Sequence, residues 1–480
     1  VDTVNGLEPK PLWQSFAELS AIPRNSKNET LSRNFVIAKA IKHGLDYKTD
    51  SAGNVVVYKP ARGSTSDRTV ILQAHLDMVC EKNRDTVHDF EKDPIRLVND
   101  GEWVQACGTT LGADNGIACA AMLAIMEEST LTHPGLELFF TMDEETGLTG
   151  AVQMDAALIN GRTLINLDSE EDGIFYIGCA GGKETDLKFG IKRVKTPGGF
   201  QAVTIRVKGL KGGHSGTDIH EGRGNAIKII AGLLASSGTN FRLSAISGGN
   251  LRNSIPREAE ALIVAHPAKL KKLKAHAENF LEKVRTLLKG IDEGLAITVE
   301  DAPLPEDVIS GKQASAIIET LNAIPSGVEA VDMPHSLIVT STSLGVVRTE
   351  ASHITVKTMQ RSIHEEAMEE LSGRIASIGR LAGADVTFDH EYPSWIPDYN
   401  SSILRVCKEA HLELFGKEPE VRVIHAGLEC GVIAGKIPGI ETISLGPTIE
   451  HAHSPFERVR VESVGNFWKL FLYILDKLAV

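Results

Sequence analysis

Residues Thr69–Asp77 read TVILQAHLD. The first six, TVILQA, are apolar and partly β-branched, and a short run of that kind between turn formers is a buried strand rather than a helix. It ends in His75-Leu76-Asp77, placing an imidazole and a carboxylate where burial is costly unless both are partnered. The same pattern recurs along the chain. LELFFTM (136–142) runs into Asp143-Glu144-Glu145, TLINL (163–167) into Asp168, and a short strand at Thr442–Leu445 leads to His451-Ala452-His453. Asn54–Tyr58 (NVVVY) is a further buried strand. Between the strands, Gly116–Glu128 reads as an Ala-rich buried helix opened by Asp114-Asn115, and Pro11–His43 reads as helical. Strand and helix alternate across residues 50–170, which predicts an α/β fold: a mixed, largely parallel sheet with helices on both faces.

Outward from this region the texture changes. After the glycines Gly178, Gly181 and Gly182, residues 183–390 carry alternating strands such as Ala202–Val207 and Ala261–Ala265. Amphipathic helices follow near 221–237, 270–289 and 364–382, the pattern of an antiparallel α+β unit. Helix 400–415, the strand at Thr442–Leu445 and helix 461–478 return to the first texture. The expected organisation is therefore one discontinuous α/β domain, 1–182 with 391–480, and an inserted α+β domain, 183–390. The aromatic, Pro-rich EYPSWIPD (391–398) is the return linker.

Composition narrows the function. The chain has 480 residues, 50 Lys+Arg against 63 Asp+Glu, and a formal net charge of -13, which disfavours a general nucleic-acid binder. No apolar run approaches the roughly 18 residues of a membrane span. The N-terminal segment Val1–Trp13 has neither a basic n-region nor a long apolar stretch, so no signal peptide is expected. The six cysteines form no C-x-x-C pair, which reads as reduced thiols of a cytoplasmic protein.

In an open α/β sheet, ligands bind beyond the carboxyl ends of the strands. Carboxylates and imidazoles gathered there are the donor set of a Zn²⁺ or Mn²⁺ site, and five or more such groups can hold two ions with one carboxylate between them. In His75-x-Asp77 both side chains point to one side of an extended chain, so Asp77 can accept the second imidazole N–H and fix the tautomer of His75. Neighbouring side chains diverge in Glu144-Glu145, so one can ligate metal while the other handles a proton. Spacing does not decide between His451 and His453. No G-x-S-x-G is present and no cysteine lies in a nucleophile context.

The ordered motifs LQAHLDMV (72–79), GTTLGADNGI (108–117), TMDEETGLTGA (141–151), LINLDSEE (164–171), KGGHSG (211–216), GGNLRNSIPREA (248–259) and HAGLECG (425–431) resemble the M20 family of di-zinc peptidases, within it the Xaa-His dipeptidases. The resemblance implies that Asp114 bridges two metals. His75 and Asp168 complete one metal site, and Glu145 and His453 the other. It makes Glu144 the general base, with Asp77 orienting His75. It also makes the inserted domain a lid and dimerisation domain, in which His214 stabilises the oxyanion and Asn253 and Arg361 hold the substrate. Glu429 is a further substrate-contact candidate. The implied protein is a cytoplasmic homodimer with two Zn²⁺ per subunit, replaceable by Mn²⁺ or Co²⁺. It would hydrolyse small peptides such as β-Ala-His. An amidohydrolase of the same family acting on N-acyl amino acids, and a non-catalytic metal-binding scaffold, are the rival readings. Asp143 extends the acidic pair to Asp-Glu-Glu, a departure from the family pattern.

Overall fold

The computed structural model describes residues 2–480. They form two compact units. One is the chain up to Cys179 with Trp395–Val423 and Leu428–Val480; the other is Ala180–Ser394 with Ile424–Gly427. The cuts thus lie at 179/180 and 394/395, against 182/183 and 390/391 from sequence, and the short segment 424–427 belongs to the second unit.

The first unit is built on an eight-stranded sheet. Its spatial order is Asp46–Thr49, Val55–Lys59, Gly135–Thr141, Thr69–His75, Thr163–Asn166, Glu441–Ser444, Ile174–Cys179, Glu420–Ile424. The four strands from Gly135–Thr141 to Glu441–Ser444 are mutually parallel, and the neighbours Val55–Lys59 and Ile174–Cys179 pair antiparallel to them. Six successive residues of Thr69–His75 are buried, so both faces of this central strand are covered. The helix Ala113–Glu127 is buried on almost every side because its alanines (118, 120, 121 and 124) let it press close to the helix Lys10–Ser20 and to Thr69–His75. The Ile117–Met126 run, Leu72, Ile165 and Phe471 belong to one continuous core.

The expected helix 11–43 is two helices, Lys10–Ser20 and Thr30–Lys42. The intervening segment contains Pro23, which has no N–H to continue a helix, and Arg24, whose buried guanidinium turns inward to backbone carbonyls. The strands Ile174–Cys179 and Glu420–Ile424 went unread, as did the helix Gly311–Ala323 of the second unit.

The second unit is an antiparallel eleven-stranded sheet. The helices Ala226–Ser236, Pro267–Leu287, Gly311–Ala323 and Glu365–Leu381 supply Leu233, Leu273, Ile317 and Ile375 to a core shared with Ile205, Ile263, Leu344 and Val356 of the strands. It is α+β, as the alternating strands imply.

At the end of Glu441–Ser444, Gly446 lies so close to the Ser169 carbonyl that a Cβ there would overlap it. This contact seats the loop that carries Asp168. Gly446→Ala is expected to destabilise the first unit by roughly 1–3 kcal/mol, the usual cost of overpacking. Denaturant unfolding would check it, and an unchanged midpoint would refute the close-contact argument.

Candidate metal centre

All four parallel strands end at the same edge, so their trailing residues meet there. His75 closes its strand, Glu144 and Glu145 follow Gly135–Thr141, and Asp168 follows Thr163–Asn166. His453 lies on the loop beyond Glu441–Ser444, after the short strand Ile449–Glu450. Asp114 lies in the first turn of Ala113–Glu127 but is not helical (φ −79°, ψ 109°), which frees its side chain from the capping geometry of a helix start.

Asp114 is central. Its Oδ1 is 3.1 Å from His75 Nε2, and its Oδ2 is 3.1 Å from His453 Nε2. His75 Nε2 is also 3.3 Å from Asp168 Oδ1, and His453 Nε2 is 3.1 Å from Glu145 Oε2. Two triads therefore share Asp114: His75–Asp114–Asp168 and His453–Asp114–Glu145. Ligands about 2.0–2.1 Å from a tetrahedral ion stand roughly 3.3–3.4 Å apart, so these donors have the spacing of ligands around an ion. Glu145 Oε1 is buried without a hydrogen-bond partner, an orphaned acceptor that a cation would satisfy. His451 and His453 are both exposed, and it is His453 that reaches both carboxylates.

Asp77 holds the edge together. One of its oxygens is 3.3 Å from His75 Nδ1 and accepts the Glu144 N–H at 3.0 Å. The other accepts Ser26 Oγ–H at 2.8 Å and the Glu145 N–H at 3.2 Å. One carboxylate thus orients the imidazole and fixes the backbone of the acidic pair. Burial alone would raise Asp77, but His75, the Glu144 N–H and Ser26 hold it below the ordinary carboxylate range.

The remaining acids respond to crowding. Burial and the neighbouring Glu145 push Glu144 well above the ordinary range, with Asp168 and Glu429 adding to this. Burial and Asp114 push Glu145 up to about 7, against the pull of His453. Burial raises Asp168, against His75. Burial tends to lower His453, yet Asp114 and Glu145 push it up to about 12. Asp143 takes no part in the triads: its oxygens accept the hydroxyls of Thr146 (2.6 Å) and Thr149 (2.5 Å), so it caps the turn after the acidic pair.

The second unit gathers its own polar group. Arg361, only 3% exposed, lies inside the strand His353–Ser362, donates to Tyr392 OH at 2.7 Å, and has Nη2 3.4 Å from His214 Nε2. His214 pairs in register with Ser254, and the adjacent Asn253 is exposed, with its carbonyl accepting the Ser215 N–H at 2.8 Å. His425, on the segment 424–427, bonds Ser341 Oγ through Nε2 at 2.7 Å. The structure therefore brings His214, Asn253 and Arg361 together within this unit.

Comparison with known proteins gives the family. Residues 71–477 match the model of peptidase family M20/M25/M40. The chain belongs to the M20 peptidase family. It is accordingly an enzyme that hydrolyses peptide bonds. This M20 peptidase is 39% identical over 98% of both chains to the cytosol non-specific dipeptidase of Escherichia coli (strain K12). It superposes on the crystal structure of aminoacylhistidine dipeptidase from Vibrio alginolyticus with a TM-score of 0.86 and 39% identity, covering 99% of this chain and 98% of that one. A Staphylococcus aureus tripeptidase shares the fold at a TM-score of 0.59 and 17% identity, covering 98% and 99% of the two chains. Among the described residues no helix is long and apolar enough to cross a membrane.

Three neighbours of the M20 site escaped the sequence reading. Arg24 bonds the carbonyls of Leu76 (3.2 Å), Asp77 (3.0 Å) and Gly112. Burial and Asp114 raise Glu170 well above the ordinary carboxylate range. Glu457 binds backbone amides near Asp114. Arg24 and Glu457 act on main-chain atoms, which leave no side-chain pattern to read; Glu170 was visible only as one acid of a DSEE run.

Glu429 is fully buried, accepting Thr141 Oγ1–H at 2.7 Å and an amide hydrogen of Gln73. Burial pushes its carboxyl up to about 8 from an ordinary 4.5. The folded value is raised, so the stability owed to its neutral form is complete below about 4.5 and is lost progressively as pH climbs to about 8. Glu429→Gln stays neutral throughout. The metal-free variant should therefore gain stability relative to the metal-free parent across that window and level off above it. Melting temperatures against pH check this; a pH-independent difference would contradict it.

Proposed function

We propose that this peptidase is a two-metal dipeptidase acting on Xaa-His substrates such as β-Ala-His, with Glu144 as general base. The observation that carries the reading is Asp114, whose two oxygens each face a different imidazole at 3.1 Å. That arrangement suits a carboxylate shared between two ions better than any single-ion site. His75 and Asp168 would hold one ion, and Glu145 and His453 the other. The donors are nitrogen and oxygen only, which suits Zn²⁺ and tolerates Mn²⁺ or Co²⁺.

When bound, such ions polarise the scissile carbonyl and make a water easy to deprotonate. The rest falls to the chain's own groups. Glu144 lies three residues past the end of the strand Gly135–Thr141, its backbone fixed by Asp77. A carboxylate beside the ions can take a proton from water and pass it to the leaving amine. Asp77 keeps the second His75 nitrogen occupied, so the first stays available as a ligand. His214 is assigned to the developing oxyanion, and Asn253 and Arg361 to the substrate; a guanidinium fork suits a terminal carboxylate. The first unit is in this reading the catalytic domain, and the second the lid through which two copies associate.

The relatives support the dipeptide as substrate, and differ on breadth. The Vibrio protein's name specifies aminoacyl-histidine, and the Escherichia coli protein's name says non-specific. The latter name also supports a cytoplasmic location. The test is hydrolysis of a panel by metal-reconstituted enzyme. β-Ala-His and other Xaa-His dipeptides should be cleaved in preference to N-acetyl amino acids, and the reverse order would make the protein an N-acyl amidohydrolase. Glu144→Gln should keep its metal and fold while kcat falls about 10²–10⁴-fold, the usual range for a general base. Retained activity would remove Glu144 from that role.

A further inference from the structure

Glu457 lies four residues beyond His453 and is 2% exposed. Its carboxylate accepts four successive backbone N–H groups. Oε2 takes those of Leu111 (2.8 Å) and Gly112 (2.9 Å), and Oε1 those of Ala113 (2.7 Å) and Asp114 (3.2 Å). These amides open the helix Ala113–Glu127, where N–H groups have no partner within the helix and attract negative charge. The turn is also gripped from its carbonyl side: Arg24 donates to the Gly112 carbonyl, and its other terminal nitrogen binds the carbonyls of Leu76 and Asp77 just beyond the strand Thr69–His75. An anion on one side and a cation on the other thus seize the backbone immediately preceding Asp114.

A neutral Ser or Asn cap would satisfy at most one or two of those amides without placing another anion near Asp114. The two oxygens of a carboxylate, rigidly planar, can divide four donors into two pairs and fix the turn's orientation. Glu457 is also tied by a short stretch of chain to His453. Any slack in the clamp would change the separation of His453 Nε2 and Asp114 Oδ2, now 3.1 Å.

We propose that Glu457 is a positioning residue: its four-amide clamp on Leu111–Asp114 holds the Asp114 carboxylate so that it faces His75 and His453 at once. The inference rests on the two-metal reading. Glu457 touches neither substrate nor ligand atoms, and acts through the backbone of Asp114.

The experiment compares the full-length parent, Glu457→Gln, Glu457→Asp and a control, Ile474→Ala. The control opens a cavity at a fully buried core position on the helix Val461–Leu478. Gln has nearly the shape of Glu but turns an amide NH₂ toward two of the four N–H donors; Asp keeps the charge and shortens the reach. Affinity for Zn²⁺ is read by competition with a chromophoric chelator well below each protein's melting temperature. The Co²⁺-loaded absorption spectrum reports ligand geometry. Glu457→Gln should bind the ions about 10–100-fold more weakly, the usual cost of losing a group that orients a ligand, with a changed Co²⁺ spectrum. Ile474→Ala should melt earlier yet bind like the parent. If Glu457→Gln does not fold, Glu457→Asp serves in its place with the same expectation. Parent-like affinity and spectrum in the folded variant, or an equal loss in Ile474→Ala, would overturn the proposal. A parent that binds fewer than two ions would instead sink the two-metal reading.

Discussion

Five carboxylates (Asp77, Asp114, Glu144, Glu145 and Asp168) and two imidazoles converge at one edge of a buried sheet, and the architecture around them answers the electrostatic demand they create. Like charges brought this close in a poorly solvated place repel strongly and lose their hydration. The raised proton affinities of Glu144, Glu145 and Asp168 express that cost in a protein without cations. His75 and His453 offset part of it, as does the main chain. In the proposed reading, dications would offset far more of it.

Main-chain amides and carbonyls supply the rigidity. Asp77 ties the imidazole of one strand to the backbone of Glu144 and Glu145 on its neighbour, so two adjacent strand ends move as one. Arg24 and Glu457 do comparable work on the turn before Asp114, through carbonyls and amides respectively. The parallel strands set the coarse position of every group, and in the proposed reading these buried charged side chains would refine it to the separations of about 3 Å that metal ligation requires.

Membership of the M20 family, a dipeptidase relative from Escherichia coli and a Vibrio relative of the same architecture establish peptide-bond hydrolysis for the whole chain. Choice of substrate is a separate matter. The polar group of His214, Arg361 and Asn253 belongs to the second unit, and in the proposed reading it is there that a histidine dipeptide is told from an N-acyl amino acid. In that reading the hydrolytic edge and the recognition of the substrate would be carried by different parts of the chain.

The α/β class, most of the central strands, the alternation that marks the inserted α+β segment and the residues at the shared edge are legible in the sequence alone. They can be read there because buried strands are written locally, as apolar runs of period and length that only a sheet accommodates, and because His75, Asp168 and the acidic pair each end such a run. Motif resemblance picked His453 over His451, and the geometry then placed His453 against Asp114 and Glu145. It took the folded chain to show that helix 11–43 is interrupted between Ser20 and Thr30, that Arg361 is buried rather than solvated, that Asp143 caps a turn, and that Glu429 is sealed inside the sheet edge. Only it revealed Arg24 and Glu457. Their partners are backbone atoms 52 to 346 residues away in sequence, and a hydrogen bond to a carbonyl or amide imposes no residue type on the partner through which it could be read.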